Sequence, residues 1–144
     1  MLKRSHDAPR LILNRARAFT TDTAYRVRPR IGTASEMVAG FLNPLTALTA
    51  ELEGRTYGGG VLELVPSEIE RLLVPTPTGA KGDVESLDRE FRATSMEAVL
   101  SSYGVELLHA RGFTRDEART FLNSWSNLRN RRQRNGKNEH VDDN

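Results

Sequence analysis

Apolar residues recur at Ala34, Val38, Phe41, Leu45, Leu48 and Leu52, in steps of 4, 3, 4, 3 and 4. Such steps put them on one stripe of a helix, because side chains three and four apart share a face. Thr33 precedes the stripe and Glu36 follows three residues later, the pairing of a capping box, so a helix is predicted to open there. Pro44 falls inside the pattern. An unbroken helix would lose roughly 3 kcal/mol to it. Two outcomes are open: a kink, or a fresh start with Asn43 as N-cap and Pro44 at the first helical position. Gly54 is the predicted stop.

On the N-terminal side, residues 10–29 alternate apolar and polar positions and are rich in Thr, Phe, Tyr and Val. They read as two short strands around a turn. Residues 61–64 read as a short strand, 66–72 as a turn of helix, and 73–74 as a further strand. The Pro/Thr/Gly-rich stretch 75–82 reads as a linker. Helix returns beyond it: Asp83 can cap a run holding Leu87 and Phe91, and Thr94 with Glu97 a run from Val99 to Leu108 that Gly112 stops. Thr114 with Glu117 forms another capping box, opening a helix with Ala118, Phe121, Leu122, Trp125 and Leu128 on one face.

The pattern therefore predicts an α+β protein: a small β-hairpin and short-strand region packed on a long kinked helix, followed by a C-terminal helical subdomain. The corresponding divisions are 1–75, a linker at 76–83, helices over 84–134, and a polar, disordered tail at 135–144.

Charge sharpens this division. Residues 1–30 hold eight Lys/Arg against Asp7 and Asp22, a net +6, and residues 129–144 hold five against three acids, a net +2. The whole chain carries only +2, so the middle is acidic at −6. Of the 21 cations only Lys3, Lys81 and Lys137 are lysine. Arginine's planar fork suits phosphates and base edges, although a genome preferring Arg codons accounts for the ratio equally well. The absence of cysteine excludes disulfides and thiolate metal sites and fits a cytoplasmic protein. No apolar run approaches the length of a membrane span, so no membrane partner is expected.

Catalytic chemistry has little support. His6, His109 and His140 are scattered, with no metal-ligand spacing. No phosphate-binding loop, nucleophile elbow or dinucleotide fingerprint occurs. Glu63, Glu68 and Glu70 lie close enough to act as paired acids, but a solvated strand edge and helix face explain them better.

The most specific string is Gly54-Arg55-Thr56-Tyr57-Gly58-Gly59-Gly60-Val61-Leu62-Glu63-Leu64, leading into Pro66-Ser67-Glu68. Taken with Phe41-Leu42-Asn43 and residues 48–53, it resembles the C-terminal region of adenine-specific (N6) DNA methyltransferases of restriction-modification systems. Pro9-Arg10, Leu13-Asn14 and Thr21-Asp22-Thr23 look like that family's target recognition region, and the segment 87–134 is similar to its helical tail. The family's cofactor loop (F-x-G-x-G-like) and its Asn/Asp-Pro-Pro-Tyr/Phe motif are absent; Asn43-Pro44-Leu45 is the nearest string.

The resemblance thus implies a recognition end that binds double-stranded DNA for a methyltransferase catalytic chain or domain, which would itself carry S-adenosylmethionine. No cofactor and no catalytic residue is expected here. A methyltransferase that extrudes its target base needs such a grip on the duplex. The residues expected to supply it are Asn14, Arg15, Arg17, Thr21, Thr23, Arg26 and Arg28 on the predicted hairpin, Arg55, Tyr57, Gly58, Gly59 and Gly60 around the glycines, and Arg129, Arg131 and Arg132 at the helix end. Each has a plainer explanation: Thr21-Asp22-Thr23 as a turn, Gly58 to Gly60 as a tight connection, Tyr57 and Trp125 as core, the arginine cluster as a solvated helix end. The competing function is a non-catalytic protein-interaction subunit docking through a Leu107–Trp125 surface. A helix-turn-helix around residues 109–128 is disfavoured by Asp116 and Glu117, which would face phosphates.

Overall fold

The computed structural model describes residues 1–75 and 84–138. Its elements are strand β1 (Arg4–Ser5), helices α1 (Ala34–Phe41) and α2 (Pro44–Glu53), strands β2 (Arg55–Tyr57) and β3 (Val61–Glu63), and helices α3 (Pro66–Ile69), α4 (Val84–Ala93), α5 (Met96–Val99), α6 (Val105–His109) and α7 (Arg115–Asn138). The fold is α+β, as the hydrophobic pattern predicts.

The proline in the long stripe produces two helices and not a kink. Asn43 is fully buried: its Oδ1 accepts the Thr46 N–H at 2.9 Å, and its Nδ2 donates to Gly40 O and to Thr46 Oγ1, both at 2.8 Å. Pro44 takes the first helical position, where no N–H is needed. Thr33 and Glu36 form the predicted capping box of α1, and Gly54 caps the end of α2.

The break also shifts the phase of the stripe. In α2 the buried residues are Pro44, Thr46, Ala47, Thr49 and Ala50, whereas Leu52 is 64% exposed. Small residues line this helix because α7 crowds against it.

The sheet is antiparallel in the order β1-β3-β2. The hairpin joins β2 to β3 through the glycine turn, with Tyr57 opposite Val61, and does not occupy residues 10–29. That segment is irregular apart from one bridge between Leu2 and Ala24. Residues 73–74 are not a strand either. Thr46 Oγ1 donates to Leu73 O and the Leu73 N–H donates to Thr49 Oγ1, so this stretch is bonded to the side of α2.

Helices α5 and α6 run into one another through a π-helical turn at Leu100–Gly104. At Gly104 a Cβ would lie 2.9 Å from Pro44 Cδ and 3.0 Å from Asn43 Cα, so glycine lets this helix cross the α1–α2 junction. Ser95, not Thr94, caps α5 by accepting the Ala98 N–H. Thr114 and Glu117 form the expected box before α7. That helix continues through 135–138, in place of the disordered tail expected from residue 135 onward, and the linker at 76–83 and residues 139–144 lie outside the described residues.

Three apolar clusters tie both parts of the chain together. Phe41, Ala50, Leu62, Leu64 and Leu72 form one; Ala8, Ala47, Met96, Leu100, Leu122 and Trp125 the second; Val105, Leu108 and Ala118 the third, with Phe113 and Phe121 edge-to-face beside them. Leu107 and Trp125 are buried, so the surface expected to serve a protein-docking role lies inside the molecule.

Candidate nucleic-acid interface

Residues 9–33 leave and re-enter the core at defined points. Ala8 and Leu11 pack into apolar clusters. Later, Lys3 N–H donates to Thr23 O at 3.0 Å and Tyr25 N–H to Met1 O at 2.8 Å, docking residues 23–25 on the N-terminal strand, whose other edge is β3. Between these anchors the chain projects outward. Asn14 clamps it locally: its Nδ2 donates to Ala18 O at 2.8 Å and its Oδ1 accepts the Ala18 N–H at 3.0 Å. Thr21 and Thr23 share a hydroxyl hydrogen bond of 2.7 Å. Arg17 adopts φ 51°, the left-handed region that non-glycine residues rarely enter.

The predicted hairpin faces therefore do not exist, yet the arginines are displayed all the same. Arg15, Arg17, Arg26 and Arg28 are all exposed. Arg15 pairs with Glu85 at 2.5 Å, tying the projection to α4. Among the described residues Arg17, Arg26, Arg28 and Arg30 enter no ion pair. The short donors Asn14, Thr21 and Thr23 mostly bond within the segment, giving it shape.

A second cationic surface lies on the sheet. The Arg4 guanidinium stacks 3.8 Å from the centre of the Tyr57 ring and bonds Glu63 at 3.0 Å. Tyr57 is half exposed, and Arg4 was not anticipated as its partner. Arg55 bonds Glu68 at 2.6 Å, and the other Glu68 oxygen accepts the Val65 N–H at 2.9 Å. Glu68 is buried, in contrast to the solvated helix face expected for it. Burial works to raise its pKa, but the Val65 N–H and Arg55 outweigh this and hold the carboxyl below its ordinary value.

The third region divides the expected residues most sharply. Gly59 and Gly60 have φ of 73° and 71°, which only glycine adopts freely. Gly60 lies against α7: a Cβ there would sit 2.9 Å from Arg132 O and from Gln133 Cα, and a Cβ on Gly136 would fall within the backbone of Gly59 and Gly60. The turn is thus a close helix contact at Gly60, whereas a Cβ on Gly58 would meet nothing within 4 Å.

Arg132 and Glu51 are only 5% and 3% exposed and pair at 2.7 and 2.9 Å. Arg132 also donates to the carbonyls of Gly60, His6 and Asp7, so its guanidinium is spent on the fold. Arg129 bonds Glu97 at 2.9 Å and stacks on Trp125. Arg131 and Arg134 are exposed. The glycine turn joins antiparallel strands and packs against α7 at Gly60. Among the described residues no group of three His, Cys, Asp or Glu could hold a metal ion, and no helix is long and apolar enough to cross a membrane.

An α+β module with a projecting arginine-rich segment defines the class. The chain belongs to the family of the C-terminal domain of the Type II methyltransferase M.Eco57I, whose family model matches residues 1–108. The match spans both cationic surfaces and stops short of α7. No curated protein and no solved structure matches the chain significantly.

Proposed function

We propose that this chain is the DNA-binding specificity module of an adenine-N6 DNA methyltransferase, holding duplex DNA for a catalytic domain that binds S-adenosylmethionine. Membership of the methyltransferase C-terminal family supplies the context. The observation that carries DNA binding is the set of exposed guanidinium groups at Arg17, Arg26, Arg28 and Arg30, without an ion-pair partner among the described residues and held outward on a segment anchored at both ends. Arginine forks bind phosphates bidentately, and such contacts set affinity and register on the duplex. Arg131, Arg134 and the Arg4–Tyr57 stack add cationic surface elsewhere. The resemblance of residues 41–68 to adenine-specific enzymes supports N6 as the position modified.

A salt titration on duplex DNA tests the grip. About five phosphate contacts give a slope of roughly −4 to −5 in log K against log salt. Binding that ignores salt sinks the reading. Co-expression with a methyltransferase catalytic chain, followed by base analysis of the DNA, tests the modified position. For that chain, the exposed apolar side chains of Leu52, Leu73 and Val74 offer a contact beside α2, to which Leu73 is bonded.

A further inference from the structure

Phe19 is 98% exposed, so nothing in the molecule touches its ring. An isolated apolar residue on a surface needs no explanation. This one has an unusual setting. On its N-terminal side Asn14 grips Ala18 through both N–H and carbonyl, and on its C-terminal side Thr21 bonds Thr23 and accepts the Ala24 N–H through its carbonyl. Arg17, two residues before it, holds a left-handed backbone that is strained for a non-glycine residue and persists only where surroundings impose it. The chain thus uses short clamps and local strain to present a phenyl ring to solvent.

The flanking charge says what the ring meets. Residues 10–30 carry six arginines and one acid, Asp22. Arg17, Arg26 and Arg28 have no ion-pair partner among the described residues. An apolar protein surface would desolvate those guanidinium groups without return. A polyanion with apolar, stacked interior layers satisfies both features at once: phosphates for the arginines and a base step for the ring. Apolar wedges that partly unstack a step and kink the duplex are a general device of such binders.

We infer that Phe19 is a wedge that inserts between stacked base pairs of duplex DNA while the neighbouring arginines hold the backbone. The inference rests on the DNA-binding reading above and adds to it a residue and a mode of contact. Preorganisation by Asn14 and Thr21 spares the ordering cost that a loose loop would incur on binding.

The test uses the full chain and a panel of duplexes carrying 2-aminopurine at successive positions, with a gapped duplex as a pre-kinked probe. Wild-type protein is expected to raise 2-aminopurine fluorescence at a discrete position and to prefer the gapped duplex. Phe19→Ala is expected to weaken binding to intact duplex about tenfold to a hundredfold and to abolish the fluorescence rise, with the salt slope unchanged. Phe19→Trp should retain both. Because the ring touches nothing, neither variant should alter folding. If Phe19→Ala binds and unstacks as wild type does, the wedge is overturned while DNA binding stands. The wedge is equally overturned if Phe19→Ala weakens only association with a methyltransferase catalytic chain. If the wild-type chain binds no duplex at all, both readings fall together.

Discussion

Arg132 and Arg28 are the same residue in opposite settings. Arg132 sits between α2, the glycine turn and residues 6–7, and each of its three guanidinium nitrogens is bonded inside the protein. Arg28 lies on an irregular segment, exposed and without an ion-pair partner among the described residues. The first removes water from a charge pair and makes the fold depend on it. The second leaves its charge available to something outside. Arginine content alone cannot distinguish these; burial and partners can.

The contrast predicts that changes in the interior damage stability, and changes in the projecting segment damage binding. Arg132→Ala leaves Glu51 buried without its partner and should cost about 3–5 kcal/mol, read from the denaturant midpoint. An unchanged midpoint would remove Arg132 from the centre of the fold. Gly136→Ala drives a methyl into the Gly59–Gly60 backbone and should cost about 1–3 kcal/mol by the same measurement. Asn43→Ala removes the α2 cap along with two further bonds and should cost about 1–2 kcal/mol. Thermal denaturation of a variant that melts like wild type would show the cap to be dispensable.

Glu68 makes stability depend on pH. Its folded pKa lies below the ordinary carboxylate value of about 4.3. The stabilisation it brings is therefore complete above the unfolded pKa and is lost as the pH falls through the folded one. Glu68→Gln should flatten stability against pH in that acid range; equal acid sensitivity in variant and wild type would assign the effect to other groups. Arg26→Ala with Arg28→Ala should leave stability within about 0.5 kcal/mol of wild type. It should also reduce the salt slope of duplex binding by about one for each charge removed that contacts a phosphate. A variant that loses stability and keeps the slope would invert the comparison.

Much of the fold is legible in the order of side chains. The capping boxes at Thr33 and Thr114 and the stop at Gly54 follow from residues within four positions of one another, whereas at Pro44 the pattern leaves a kink and a fresh start both open, and the Asn43 cap of α2 decides for the start. The stripe of α7 also continues beyond Leu128: Trp125, Arg129, Arg132 and Gly136 keep steps of 4, 3 and 4. A run of arginines nevertheless reads as solvent-facing unless a carboxylate such as Glu51, 81 residues away, is known to meet it. The mismatch at residues 10–29 has another source. Alternating residues there satisfy the strand pattern, but only residues 23–25 reach a sheet edge, through the bridge of Ala24 to Leu2, and the rest of the segment bonds locally through Asn14 and Thr21. A strand in that position would have given Phe19 a buried face, which hides its exposure from a reading of the pattern.

By itself, then, the chain determined its local choices: where α1 and α7 begin, where α2 stops, which turn needs glycine, and how unevenly charge is spread. Those depend on interactions spanning a few residues, which the order of side chains fully contains. Tertiary structure decided which arginines turn inward, why glycine is needed at Gly60 and Gly136 where the turn meets α7, and which aromatic ring is left uncovered. These outcomes hang on partners distant in sequence, and desolvation makes a guanidinium an anchor beside Glu51 and a free contact at Arg28.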